Sequence, residues 1–545
     1  MTTVFKIFVT LSCLASLTKA TLEAPVLEDQ SHGTNVLDYI GAVPACNILA
    51  IPTPTLPNGH ILKINATTVK NYQLSEQPFQ LFPPQVSTSV SFCNVSIDYT
   101  HPGWDDVINT QVYLPLEGWN GRLLGTGGGG YATGLVGNAM LTAASLGYAA
   151  VGTNGGHTAN EDASWALRRP GFVDVPLLVD FASVALSDMT TLGKAITESF
   201  YIQKIRYSYF AGCSTGGRQG LMLAQRYPDL YDGIIAAAPA INWPSFVVAE
   251  FWPQFIMNSV GVSPPACVLD FITAAAISAC DGLDGVLDGV IAAPELCHFD
   301  PHSLVGHDVD CDGIYTKITG DHATIALEAW RGPRSANNSF QWYGLNYSAS
   351  LTALAGVKCA GANCEGDPFP ISASWISTML HKNSSYDLSG VISQDQWDNW
   401  FQRSREEYDW IIGTANADLA PFKAAGGKMI TYHGLDDPVI FPGGTTQYYQ
   451  NVISLVANVS DFYRFFTAPG MGHCSGGYGP QPTEVLSQLV NWVERQVTPE
   501  ALKGTKTSQD GTTGYQPLCP YPLVAAYQGG DPDQASSFKC LETYH

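Results

Sequence analysis

Residues 205–228 read IRYSYFAGCSTGGRQGLMLAQRYP, and the fold is decided by how that stretch divides. The aromatic run from Ile205 to Ala211 predicts a buried strand, and Thr215 to Arg226 predicts a helix that Pro228 stops. Between them Gly212-Cys213-Ser214-Thr215-Gly216 fits G-x-S-x-G. In that turn small flanking residues let the backbone bend sharply, so that a serine stands exposed at the end of a sheet. A bare match is weak evidence because Ser and Gly are common; the strand before it and the helix after it give it weight.

Working outward, Asn120 to Thr126 predicts a short strand running into Gly127-Gly-Gly-Gly130, and Gly147 to Gly152 predicts another. From Val175 to Phe200, apolar residues recur at helical spacing: Phe181, Val184, Ala185, Met189, Leu192, Ala195 and Ile196. Gly233 to Ala238 reads as the next buried strand. Strand and helix alternating in this way mean a parallel sheet, and with the serine turn the class is α/β, an α/β-hydrolase fold. The rhythm is lost from Trp243 to Ala415, a segment rich in Cys, Asp, Gly and Trp that reads as an inserted cap. It resumes with strands at 427–434 and 462–467 and a closing helix from Pro482 to Gln496. The expected organisation is a leader at 1–20, a catalytic domain in two parts (21–242 and 416–545), and a lid at 243–415 between them.

Composition agrees with a packed globular chain, since 45% of the 545 residues are hydrophobic and only 14% charged. Lys6, the apolar run from Ile7 to Leu17 and the small residues Thr18 and Ala20 form a secretory signal pattern. That run is too short to span a bilayer, and no later stretch reads as long enough. Of 13 cysteines, Cys13 leaves with the leader, and the even number remaining suits disulfides in an oxidising, extracellular setting. N-x-S/T sequons begin at Asn65, Asn94, Asn337, Asn346, Asn383 and Asn458, marking glycosylation on surface loops in a eukaryotic host. The formal charge of −22 excludes nucleic acid and anionic membrane surfaces as partners, and the acidity reads as solubility.

A serine hydroxyl is a poor nucleophile until a histidine takes its proton and a carboxylate orients that histidine. In this fold the chain order is Ser, acid, His. After the turn the acids at a strand end are Asp436 and Asp437, and the histidines are His433, His473 and the terminal His545. His473 stands in the Gly-rich loop 468–477 just past a strand, the place for a base, whereas His433 sits on the strand that brings the acid. Cys213 and Cys474 flank the two reacting residues, so a disulfide between them is geometrically reasonable. Oxyanion donors in such folds are the amide after the nucleophile, here Thr215, and one from an earlier strand-end loop, here Gly127 to Gly130, with Gly129 selected. A phosphate loop is excluded because no Lys-Ser/Thr follows those glycines. Separately, Asp281, Asp284 and Asp288 crowd one Gly-punctuated loop whose spacing is not that of an EF-hand. They would repel without a cation, and calcium is the natural extracellular occupant.

Cys213-Ser214, Gly434-Leu-Asp-Asp437 and Ala468-Pro-Gly-Met-Gly-His-Cys474 together resemble the fungal tannase and feruloyl esterase family, over Cys46 to Cys540. The resemblance implies Ser214, Asp437 and His473 as the catalytic residues, Asp437 being preferred to Asp436 as the fourth place of Gly-x-x-Asp. It also implies the Cys213–Cys474 bridge, and a structural calcium in the lid held by Asp281, Asp284 and Asp288 with the carbonyls of Val286 and Val290. The other expected bridges are Cys46–Cys93, Cys280–Cys297, Cys359–Cys364, Cys519–Cys540 and Cys267–Cys311, although sequence alone leaves the connectivity open. The implied substrates are small or polysaccharide-linked aromatic esters, either of feruloyl and related cinnamoyl acids or of gallate. Trp252, Trp330, Trp342, Tyr343 and Trp375 offer either a pocket for a flat aromatic acid or ordinary core. The rival from another class is a non-catalytic phenolic- or carbohydrate-binding protein on the same fold. The intact Ser, Asp and His argue against it.

Overall fold

The computed structural model describes residues 45–49, 51–74, 89–134, 138–158, 162–361, 363–507 and 512–544. The leader expected at 1–20 and His545 lie outside the described residues.

One sheet organises the chain. Its strands are β1 (His60–Gln73), β2 (Ser89–Thr100), β3 (Ile108–Pro115), β4 (Arg122–Thr126), β5 (Ala149–Thr153), β6 (Tyr207–Cys213), β7 (Gly233–Ala237), β8 (Lys428–Gly434) and β9 (Tyr463–Ala468). They lie in the order β1-β2-β3-β5-β4-β6-β7-β8-β9. From β5 to β9 all neighbours are parallel, as expected. The pairs β1·β2, β2·β3 and β3·β5 are antiparallel, an edge that the sequence reading did not foresee. The difference is written in burial: β7 is buried at every residue, whereas β2 alternates, with one face half solvated.

Ala185–Tyr201 and Thr215–Arg226 pack on one face of the sheet, and Asn138–Ser145 and Val485–Arg495 on the other. The chain leaves β4 outward to β5, then returns to β6 on the opposite side of β4. The carboxyl ends of β4 and β6 therefore flank a topological switch point, where open α/β sheets bind their ligands. The closing helix starts at Val485 rather than Pro482, because Gln481–Thr483 pairs as a strand with Leu502–Thr507.

The insertion lies between β7 and β8. Its helices bury Trp243, Trp252, Trp375, Trp397 and Trp400 in a core that also takes in Tyr131, Phe181 and Phe441 from the sheet side. The described residues pack as one compact unit. Trp252, Trp330 and Trp375 belong to this core, while Trp342 and Tyr343 are half-buried and Tyr343 donates to Gln447 Oε1 at 3.1 Å.

Two helical segments, Val175–Tyr201 (mean hydropathy 1.4) and Ala266–Asp284 (1.6), are long and apolar enough to cross a membrane, contrary to the sequence expectation. Both are accounted for within the fold, the first covering a sheet face and the second stapled through Cys267 and Cys280. All six bridges form: Cys46–Cys93, Cys213–Cys474, Cys267–Cys311, Cys280–Cys297, Cys359–Cys364 and Cys519–Cys540. Of the sequon asparagines, Asn65, Asn337, Asn383 and Asn458 are exposed. Asn94 and Asn346 are half-buried, and the Asn346 amide donates to the Leu435 carbonyl at 2.8 Å.

Candidate active site

β6 ends at Cys213, and Ser214 turns the chain with φ 64° and ψ −123°, a conformation that L-residues hold only under constraint. The constraint is visible. Ser214 N donates to the Ala237 carbonyl (3.1 Å), and its own carbonyl accepts from Arg218 N (3.0 Å) and Ala240 N (3.1 Å). A Cβ on Gly212 would stand 2.6 Å from the Gly216 backbone, so the flanking glycines are a steric requirement of the turn.

The candidate acid, Asp437, comes from the end of β8. Asp437 is fully buried, and its Oδ1 accepts from Val439 N (3.0 Å) and Ile440 N (2.9 Å). Its Oδ2 accepts from His473 Nδ1 at 2.7 Å and from His433 Nε2 at 3.1 Å. Burial works to raise this carboxyl, but the His473 charge and the two histidine hydrogen bonds outweigh it and hold the group well below the usual carboxylate range. His473, with 26% of its side chain exposed, follows β9. Burial lowers its affinity for a proton, and the neighbouring Asp437 raises it further than burial lowers it. Nδ1 is committed to Asp437, which leaves Nε2 as the nitrogen for proton exchange. Cys474, next to His473, is bonded to Cys213, next to Ser214, with 5.9 Å between their Cα atoms.

Asp436 does different work. It accepts from Ser348 Oγ of the insertion at 2.5 Å, and burial pushes it up to about 6 against that hydrogen bond. Only Asp437 of the doublet meets His473. His433, another of the histidines weighed from sequence, reaches the same carboxylate from within β8.

Around the glycine run, Gly127 N donates to Ala211 O (3.0 Å) and Gly128 N to Gln219 Oε1 (2.9 Å), so two of the four amides are spent on structure. Gly129 bridges to Ala132 and has open space beside its α-carbon. Thr215 Oγ1 donates to Gly130 O (2.6 Å), and the Thr215 amide, first in its helix, has no partner among the described residues. Gln219, which also donates to Thr133 O at 2.6 Å, clamps this loop to the helix that follows Ser214. Sequence reading missed it, since a glutamine inside a helix carries no local signal.

In the acidic loop Asp281 Oδ1 accepts from the amides of Asp288 and Gly289 (3.1 Å each), and Asp284 Oδ1 from Val286 N (3.0 Å). Burial and the charges of Asp288 and Asp281 push Asp284 up to about 6, a strain that a cation would relieve. The carbonyls of Val286 and Val290 accept no hydrogen bond from the described residues, so the donor set fits a hard, oxygen-seeking ion. One feature was not foreseen: Lys506, 4% exposed, reaches Asp288 Oδ2 at 3.0 Å and Asp533 at 3.3 Å.

A second group was not foreseen at all. Among the described residues, His101, Asp106 and Asp180 bring one ligand atom each within 4.8 Å of one another, buried, and could hold a metal ion. His101 Nδ1 lies 2.5 Å from Asp106 Oδ2, a hydrogen-bond distance that would have to open to admit an ion, and its Nε2 lies 2.9 Å from Asp188.

Fold and site together define an ester hydrolase of the α/β-hydrolase class, with an inserted lid. Residues 93–541 match the family model described as tannase and feruloyl esterase, and the chain belongs to that family. A protein of Arthroderma benhamiae named probable feruloyl esterase is 40% identical over 91% of this chain and 93% of its own. Among solved structures, the tannin acyl hydrolase of Aspergillus niger superposes with a TM-score of 0.82 at 26% identity, covering 90% of this chain and 93% of that one. Feruloyl esterase B of Aspergillus oryzae superposes with a TM-score of 0.74 at 27% identity, covering 89% and 97%. The protein is a carboxylic ester hydrolase.

Proposed function

We propose that this chain is a secreted serine esterase that releases plant phenolic acids, feruloyl and related cinnamoyl esters first, through Ser214, His473 and Asp437. The observation that carries the reading is the pairing of His473 Nδ1 with Asp437 at 2.7 Å, on a loop stapled beside Ser214 by Cys213–Cys474. His473 Nε2 takes the Ser214 proton as Oγ attacks the ester carbonyl, and Asp437 stabilises the imidazolium that results. The imidazolium then protonates the leaving alcohol, which leaves an acyl-enzyme. Water, deprotonated by the same nitrogen, frees the acid. The oxyanion is received by the Thr215 amide with the second donor from Gly129, since those of Gly127 and Gly128 are spent.

A feruloyl acid is favoured by the name borne by the 40% identical relative. The galloyl reading has its own support in the TM-score of 0.82 to a tannin acyl hydrolase. Calcium, in this proposal, closes the lid loop through Asp281, Asp284 and Asp288 with the carbonyls of Val286 and Val290, and supplies charge neutralisation rather than chemistry. Export, with glycans on the exposed sequons, is supported by the six disulfides.

Hydrolysis of methyl ferulate and methyl gallate by wild type and Ser214→Ala tests the reading. Wild type is expected to release ferulate faster than gallate, and the variant to lose on the order of 10⁴-fold or more. Equal release by both proteins would discard the mechanism, and faster release of gallate would reverse the substrate order.

A further inference from the structure

His433 stands in β8 four residues ahead of Asp437, with its ring fully buried. Nε2 lies 3.1 Å from Asp437 Oδ2 and 3.1 Å from the Ile440 carbonyl, and both of those atoms only accept. Nε2 therefore carries a proton and donates. Nδ1 pairs with Thr445 Oγ1 at 2.8 Å, on the helix Pro442–Leu455 that follows the acid loop. Thr445 is itself buried, so the ring is fixed at both nitrogens.

We propose that His433 is a positioning residue for hydrolysis, holding the Asp437 carboxylate in register for His473 by donating to the oxygen that His473 uses; this rests on Asp437 and His473 being the acid and base. Two backbone amides hold Oδ1 and two imidazoles hold Oδ2, so all four donors fix one carboxylate orientation. Rotating the carboxylate to offer His473 its other oxygen would break the bonds to Val439 and Ile440.

The second imidazole also limits how strongly Asp437 pulls on the His473 proton, because a carboxylate already satisfied by several donors is a weaker base toward the next. Without His433 the acid would hold the His473 imidazolium more tightly, and the base would be unprotonated only at higher pH. A merely structural histidine, tying β8 to the following helix through Thr445, would affect stability but not where the base titrates.

The experiment compares His433→Leu, His433→Gln and Thr445→Val with wild type, and with Ser214→Ala as the inactive reference. Steady-state kinetics on methyl ferulate are measured across pH, alongside far-UV circular dichroism and Tm. His433→Leu is expected to lower kcat about tenfold, the worth of one hydrogen bond to a charged group, with KM changed less than about twofold. The acid limb of kcat/KM should move upward by about half a pH unit. His433→Gln, whose amide can donate to the same oxygen, should recover most of kcat. Thr445→Val, which leaves the ring in place but frees Nδ1, should shift the limb in the same direction by less. A folded Leu variant with wild-type kcat and limb, or a Gln variant no better than Leu, would overturn the role. Should the Leu variant fail to fold, Thr445→Val decides alone, and an unmoved limb overturns it. Turnover by Ser214→Ala at the wild-type rate would instead refute the serine mechanism in which Asp437 and His473 have their roles.

Discussion

Removing the Cys213–Cys474 bridge by the double substitution to alanine should cost activity more than fold. The bond closes a loop of 261 residues, for which the chain-entropy relation gives about 5.5 kcal/mol of stabilisation. Cys267–Cys311 and Cys359–Cys364 short-cut that loop by 44 and 5 residues, which through the logarithm changes the figure by only about 0.2 kcal/mol. At an unfolding entropy of about 1 kcal/mol/K for a chain this long, the loss corresponds to roughly 5 °C in Tm. The kinetic effect follows from position rather than entropy. The bridge joins the residues adjoining Ser214 and His473, and a misplacement of about 1 Å at a reacting pair costs about 100-fold. Methyl ferulate turnover well below Tm, with far-UV circular dichroism and a thermal melt, measures both effects. The Cys359→Ala, Cys364→Ala pair, which opens a loop of 5 residues in the lid, provides the contrast: about 2 °C in Tm and unchanged kcat. Undiminished kcat without the Cys213–Cys474 bridge, or an equal loss without the lid bridge, would refute the reasoning.

The base must be unprotonated to accept from Ser214, and Asp437 raises His473 above its ordinary value near 6.5, so kcat/KM should fall as pH drops through a value above that. Asp437→Asn should lower turnover on the order of 10⁴-fold and bring the residual limb down in pH; an unmoved limb would contradict the pairing. For stability, the raised His473 contributes below about pH 6.5 and loses its contribution as pH rises through the folded value, whereas the depressed Asp437 contributes above about pH 3.9 and loses it as pH falls through its own. Chelation of calcium should lower Tm by about 3 °C, the effect of removing a ligand present at about a hundred times its Kd, and Asp284→Asn should abolish that sensitivity. A melt indifferent to chelator would remove calcium from the lid loop.

The parallel half of the sheet was legible because strands buried on both faces write largely apolar runs, as at 233–237, bounded by Gly and Pro. The antiparallel edge was not, since β1 is largely exposed and β2 half solvated, and neither 60–73 nor 89–100 carries a motif. The pairing of His473 with Asp437 and the bridge beside Ser214 were legible for a local reason: each of the three candidate residues sits at a strand end in a short glycine-bearing signature. What surrounds them was not. The second imidazole on Asp437, the Gln219 clamp, the Lys506 contact in the acidic loop and the His101 group are long-range pairings between residues that individually look unremarkable. Asp106, just before β3, and Asp180, ahead of Ala185–Tyr201, for instance, lie far apart in the chain and meet where β3 packs against that helix.

The doublet Asp436-Asp437 shows how adjacent identical residues are driven apart by what each one faces. Asp437 turns inward to four N–H donors and stays charged. Asp436 turns to a hydroxyl from the insertion and to the Gly470 backbone, and burial outweighs both and pushes it up to about 6. The neighbouring Leu435 carbonyl accepts from Asn346, two residues from that hydroxyl in the chain, so the lid is hydrogen-bonded to the strand end immediately before the acid. Movement of this part of the lid relative to the sheet would therefore load the backbone that carries Asp437. The amides of Val439 and Ile440 and the ring of His433 hold the carboxylate independently of that contact, which lets the lid be fastened next to Asp437 without setting its orientation.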